Sequence, residues 1–102
     1  MIHSDLQSKL PEISTLFKKN GVRKAYAFGS VCTDRFNGES DVDFLISFQK
    51  GLDPLEEGEY WWKLYYALQD LLKRDVDLVT EDSLSNPYFI KVMNQTKTTI
   101  YE

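Results

Sequence analysis

Two aspartates, Asp41 and Asp43, stand one residue apart at the start of an apolar run that continues through Phe44-Leu45-Ile46. Alternate side chains of a strand share a face, so the two carboxylates stand together with Cα atoms roughly 6.5 Å apart. At that separation they can bracket two divalent cations set ~3.5–4 Å apart, the arrangement used in two-metal phosphoryl transfer. Ahead of Asp41, across ten intervening residues, the chain reads Gly29-Ser30. Glycine lets backbone approach a phosphate closely, and the serine adds a hydroxyl and an amide at the next turn. A phosphate chain held at Gly29-Ser30 would reach metals held at Asp41 and Asp43.

Such a site needs a third carboxylate, and the stretch Asp75-Val76-Asp77-Leu78-Val79 offers one. Asp75 and Asp77 share a face, so period alone does not choose between them. Asp75 reads as a solvent-exposed strand end. Asp77, flanked by Val76 and Leu78, would be a costly charge in a buried strand unless it had a task. The pair of aspartates is not specific by itself: with nine Asp in the chain about one such pair arises by chance, and two occur. Gly-Ser at a fixed distance ahead of the pair is specific, with a chance expectation on the order of a few in a thousand. A calcium loop of the EF-hand type does not fit, because its glycine and glutamate positions hold Ile46 and Leu52.

The elements that must position these residues follow from periodicity and end signals. Leu10, Ile13, Leu16 and Phe17 keep helical spacing, with Pro11 in the first turn and Asn20-Gly21 as a stop. The spacing leaves open whether Ser4 to Lys9 forms a short helix of its own. Val22 to Phe28 and Val42 to Phe48 predict strands. Asp53-Pro54-Leu55-Glu56 combines an N-cap, a proline at the first helical position and an acid three residues after the cap, predicting a helix to about Arg74. Asp75 to Val79 predicts a third strand, Asn86-Pro87 a last helix with an apolar stripe of Phe89, Val92 and Met93, and Thr98 to Tyr101 a short edge strand. The expected fold is α/β of the α+β kind: a small mixed sheet of three or four strands flanked by helices, which cover one face.

Length and charge narrow the function. One compact unit spanning 1–102 fits 102 residues, with no repeat and no linker. No apolar run approaches the length of a membrane span, and Met1-Ile2-His3-Ser4-Asp5 lacks the features of a secretory signal. Cys32 cannot pair internally and His3 is the single histidine, which removes a disulfide framework and a His/Cys zinc site. Cytoplasm is the expected compartment. A net charge of −4, with lysine and arginine scattered, argues against gripping a nucleic-acid backbone directly.

The run Gly29-Ser30-x10-Asp41-x-Asp43, followed by Asp77 on a later strand, resembles the nucleotidyltransferase superfamily related to DNA polymerase beta. The approach Ala25-Tyr26-Ala27-Phe28 and the closing Ile100-Tyr101 extend the resemblance over nearly the whole chain. Shortness points to the minimal nucleotidyltransferase branch, found as antitoxins beside HEPN-domain toxins. The resemblance implies the nucleotidyltransferase fold, Mg2+ (two ions) at Asp41, Asp43 and Asp77, and the triphosphate of ATP at Gly29 and Ser30. It also implies that Asp77 serves as, or positions, the base for an incoming hydroxyl, and that AMP goes to a tyrosine of a HEPN toxin, which it silences. Many members carry a base directly after Gly-Ser; here the run is Val31-Cys32-Thr33-Asp34, and Arg35 is the first base.

About 100 residues leave no room for an acceptor-binding domain, so the acceptor must arrive on another protein or on a second copy. On the long helix, Trp61, Leu64, Tyr65, Leu68 and Leu72 form the expected core stripe. Trp62 and Tyr66 lie one turn apart on the other side, where they form either a partner interface or a pair of ordinary surface aromatics. Two alternatives to adenylyl transfer stand beside it. One is an antitoxin that neutralises by binding alone, and the other a small-molecule nucleotidyltransferase acting as a homodimer.

Overall fold

The computed structural model describes residues 4–28, 41–81 and 86–102. Helices α1 (Ser4–Gln7) and α2 (Leu10–Lys19) precede β1 (Val22–Phe28). Then come β2 (Val42–Phe48), α3 (Pro54–Leu72), β3 (Val76–Thr80), α4 (Pro87–Thr96) and β4 (Thr98–Tyr101). The four strands form one sheet in the order β3-β2-β1-β4. The pairs β1–β2 and β1–β4 are antiparallel and β2–β3 is parallel, so the sheet is mixed. The parallel pair requires a crossover, and α3 supplies it.

Local chemistry sets the element ends. Asp53 caps α3 with its carboxylate, which accepts the Glu56 backbone N–H at 2.8 Å ahead of Pro54. The helix closes at Leu72, slightly short of Arg74, because Lys73 enters the left-handed region at φ 56° and donates its N–H to the Gln69 carbonyl. Between α2 and β1, Gly21 has φ +72°, and a Cβ there would lie 3.1 Å from Leu52 Cδ1. Both the backbone and the space select glycine at this turn.

Strand alternation divides the core. Ala25 and Ala27 of β1, Val42, Phe44 and Ile46 of β2, and Val76 and Leu78 of β3 point to the first face, where they meet Ile13 and Phe17 of α2 and Leu64, Leu68 and Leu72 of α3. Phe17 packs edge-on against Phe44 with ring centres 5.8 Å apart. The indole N–H of Trp61 donates to the Leu78 carbonyl at 3.1 Å, fastening α3 to β3.

The second face is not bare. Met93 of α4 packs with Phe28 and Leu45, with Tyr26 and Val79 at the margin. The expectation that helices cover one face is therefore corrected. The sequence could not sort the helices by face, because an apolar stripe says that a helix is covered and not what covers it. The side chains of Phe89 and Val92 lie outside the described residues. Among the described residues, no helix is long and apolar enough to cross a membrane.

Candidate active site

The second face carries the chemistry. In the parallel register of β2 and β3, Asp43 is paired with Asp77. On its other side Asp43 is paired with Phe28, the residue immediately before Gly29. Three strands thus lay Phe28, Asp43 and Asp77 in one row, with neighbouring Cα atoms about 5 Å apart. One row further along, Tyr26, Leu45 and Val79 form the apolar strip that α4 covers with Met93. Asp41 precedes β2 and is exposed; the N–H of Val42 beside it donates to the Asp75 carbonyl at 3.1 Å, which holds the ends of β2 and β3 together.

The environments of the acids differ. Asp43 is half-buried, whereas Asp41, Asp75 and Asp77 are exposed. Asp77 is therefore not the charge in a buried strand that its flanking residues suggested. β3 is a sheet edge whose Val76 and Leu78 are buried on the first face, while Asp77 stands on the second, beyond the strip that Met93 covers. Asp77 is instead the residue set beside Asp43 by the register, which separates it from Asp75.

Burial pushes the Asp43 carboxyl up from 3.8 to about 6, with the negative charges of Asp77 and Asp41 adding to the shift. Among the described residues Asp43 has no cation partner. Among them, too, no three acidic, cysteine or histidine side chains converge on one ion position. Asp43 lies within the field of the other two acids rather than in a closed three-acid cage. The donor set is entirely carboxylate oxygen, the chemistry preferred by hard divalent cations such as Mg2+. A half-buried acid beside two like charges is stabilised by a cation or by a proton and by little else.

Gly29 and Ser30 lie outside the described residues, as do Cys32 and Arg35. Trp62 and Tyr66 are 54% and 61% exposed, on the helix that packs against the first face of the sheet, away from the carboxylates.

Sequence reading did not find the polar groups at the other end of the second face. Lys24 is paired with Ser47, and the Ser47 hydroxyl donates to the Glu81 carboxylate. The Tyr26 ring has two ammonium groups over it, Lys24 at 5.1 Å and Lys97 at 4.7 Å from its centre. A hydrogen bond with Tyr26 leads the causes that raise the Lys24 pKa above its ordinary value. The spacing of Lys24 and Tyr26 places both on one face, but Lys97 reaches the ring from the junction between α4 and β4, which no local pattern reveals.

Comparison with known proteins gives the same fold. Residues 11–102 match the nucleotidyltransferase domain of the polymerase beta family. Two candidate protein adenylyltransferases of Methanocaldococcus jannaschii are similar. One is 34% identical over 80 residues, covering 78% of each chain. The other is 29% identical over 84 residues, covering 82% of this chain and 86% of the relative. A solved candidate minimal nucleotidyltransferase superposes with a TM-score of 0.72 at 26% identity, over 96% of this chain and 95% of that one. A toxin–antitoxin complex with AMP-PNP contains a chain matched at TM-score 0.69 and 25% identity, over 89% of this chain and 71% of that one. An MNT antitoxin bound to the tri-AMPylated HEPN toxin of Shewanella oneidensis shares the fold. It matches at TM-score 0.64 and 24% identity, over 92% of this chain and 70% of that one.

Proposed function

This chain belongs to the polymerase beta nucleotidyltransferase family, and we propose that it is a protein adenylyltransferase that moves AMP from ATP to a tyrosine of a partner HEPN toxin, acting as its antitoxin. The observation that carries the reading is the row Phe28–Asp43–Asp77 on the second face of the sheet, with Gly29-Ser30 next in the chain after Phe28. The toxin–antitoxin complex with AMP-PNP and the AMPylated HEPN toxin in complex with its antitoxin support the choice of nucleotide, transferred group and partner.

In this reading Asp41, Asp43 and Asp77 hold two Mg2+ ions, and Gly29 and Ser30 hold the triphosphate. The ions would neutralise charge on the phosphates and sharpen the nucleophile. The chain's own residues do the rest by position. Asp43, fixed in the middle of the sheet, sets the distance from the acids to the end of β1, where the triphosphate is bound. Asp77, exposed on the edge strand, faces the incoming acceptor and takes or orients the hydroxyl proton as the tyrosine oxygen bonds to the α-phosphorus. The bond from that phosphorus to the bridging oxygen breaks, and pyrophosphate leaves in line.

The test uses ATP labelled at the α-phosphate, Mg2+, this chain and a HEPN toxin that co-purifies with it. Label on the toxin that disappears with Asp41→Asn and with Asp43→Asn is the expected result. A tight complex that never acquires label, even with the wild-type chain, would replace the proposal with neutralisation by binding alone.

A further inference from the structure

The row that joins Phe28, Asp43 and Asp77 continues on the other side of β1. There β4 is antiparallel to β1, with Tyr26 paired to Thr99 and Ala27 to Thr98. The next step of that register sets Lys97 beside Phe28. Across the sheet the positions therefore read Lys97, Phe28, Asp43 and Asp77, a cation at one end and two carboxylates at the other. Lys97 shares the second face with them, because its ammonium lies 4.7 Å from the centre of the Tyr26 ring, part of the strip packed with Met93. Its backbone is held in place: the N–H donates to the Met93 carbonyl at 2.8 Å, and Thr98 next to it is already in β4.

The ammonium has no stronger commitment. Lys97 is exposed, and among the described residues no carboxylate pairs with it. Its described side-chain contact is the Tyr26 ring, which Lys24 also occupies at 5.1 Å. Two like charges on one ring repel each other, and an exposed ring contact is weak beside a charge-assisted bond to phosphate. Tyr26 is two residues before Phe28, so the ring is rooted about 7 Å along the strand from the row of acids. A flexible lysine stem swings over that distance. The chain itself places no lysine or arginine from Gly29 to Asp34.

In-line geometry decides which phosphates the ammonium would meet. Resting on the proposed function, the acceptor enters at Asp77, and the leaving group departs from the opposite side of the α-phosphorus. Along the row, that side runs past the end of β1 to Lys97. Two strand spacings, about 10 Å, separate the Cα atoms of Lys97 and Asp43, which leaves room for a phosphate chain between cation and acids. We infer that Lys97 is the cation for the β- and γ-phosphates of the nucleotide, exchanging the Tyr26 ring for phosphate oxygen. As the bond from the α-phosphorus to the bridging oxygen breaks, its electron pair stays on the pyrophosphate, and Lys97 offsets that charge. The Tyr26 ring is the rest that keeps the ammonium on this face between turnovers.

The test measures binding by calorimetry with the full chain and Mg2+, using AMP-PNP, pyrophosphate and AMP in turn. Lys97→Met should weaken AMP-PNP and pyrophosphate about tenfold and leave AMP within about twofold, because AMP carries neither terminal phosphate. Lys97→Arg should restore most of the loss. Lys24→Met removes the same charge from the same ring but lies further from the row, beside Ser47, and should leave all three affinities within about twofold. Both methionine variants should melt within a few degrees of the wild type. Equal AMP-PNP affinity in Lys97→Met and the wild type would overturn the inference. So would a loss of AMP binding as large as that of AMP-PNP, or an equal loss in Lys24→Met. If the Lys97 pattern holds and label from ATP never reaches a HEPN toxin, the inference stands and the acceptor in the proposed function is wrong. A wild type that binds neither AMP-PNP nor pyrophosphate would overturn both.

Discussion

Asp43 on the central strand β2 stands opposite Asp77 on the edge strand β3, in a parallel register that runs from Val42 and Val76 to Ile46 and Thr80. One carboxylate is half-buried and the other exposed, so the pair joins a fixed acid to an accessible one. Phe28 is the other neighbour of Asp43, which puts the last residue of β1 in the same row as the two acids.

That register makes unequal use of two aspartates that look alike in the sequence. Asp77→Asn should lower adenylyl transfer on the order of a thousandfold, as expected when a carboxylate directed at the reacting phosphate is lost. Asp75→Asn should leave the rate within about threefold, because the described contact of Asp75 with β2 is through its backbone carbonyl, which the substitution retains. Initial rates of label transfer for the two variants check this directly.

The raised Asp43 pKa makes stability depend on pH in a defined direction. The folded chain holds its proton up to about pH 6, whereas the unfolded reference releases it near 3.8. Between these values the folded state binds more protons than the unfolded state, so this group's stabilisation is full below 3.8 and is lost as pH rises through 6. Without divalent cation, Asp43→Asn should therefore raise stability at pH 7–8 by about 1–2 kcal/mol, discounted for partial exposure. The gain should vanish near pH 4. Thermal melts in chelator across that range are the measurement, and added Mg2+ should stabilise the wild type more than the variant.

Trp61 and Trp62 are adjacent in sequence and opposite in role. Trp61→Phe removes the bond to the Leu78 carbonyl and should cost about 1–2 kcal/mol. Trp62→Phe removes nothing from the core and should stay within about 0.5 kcal/mol. Urea titration of the two variants separates them.

Phe44 is fully buried on the first face and meets Phe17 edge-on. Phe44→Ala should cost about 3–5 kcal/mol through lost burial and the cavity left behind. That is a large share of the stability of a domain this size. At the α2–β1 turn, Gly21→Ala should cost about 1–2 kcal/mol, because a side chain there is strained at positive φ and crowds Leu52. Equilibrium denaturation of each variant gives both numbers.

The sequence by itself determined the elements and set Asp43 in a strand two residues after Asp41. Those are local matters: a cap such as Asp53-Pro54, an apolar period, and the two-residue repeat of a strand act within one segment. The same locality made the stripe of Leu64, Leu68 and Leu72 legible as core and left Trp62 and Tyr66 on the outside. Tertiary structure alone decided the rest. Which of Asp75 and Asp77 meets Asp43 depends on strand register, because the two share a face and a shift of two residues would set Asp75 there instead. That α4 covers the second face while α2 and α3 cover the first depends on which apolar stripe finds which side of the sheet. The half-burial of Asp43, and with it the raised pKa, comes from strands and charges far apart in the chain. Local pattern can place a carboxylate on a face; only the assembled sheet can set the dielectric around it and choose its neighbours.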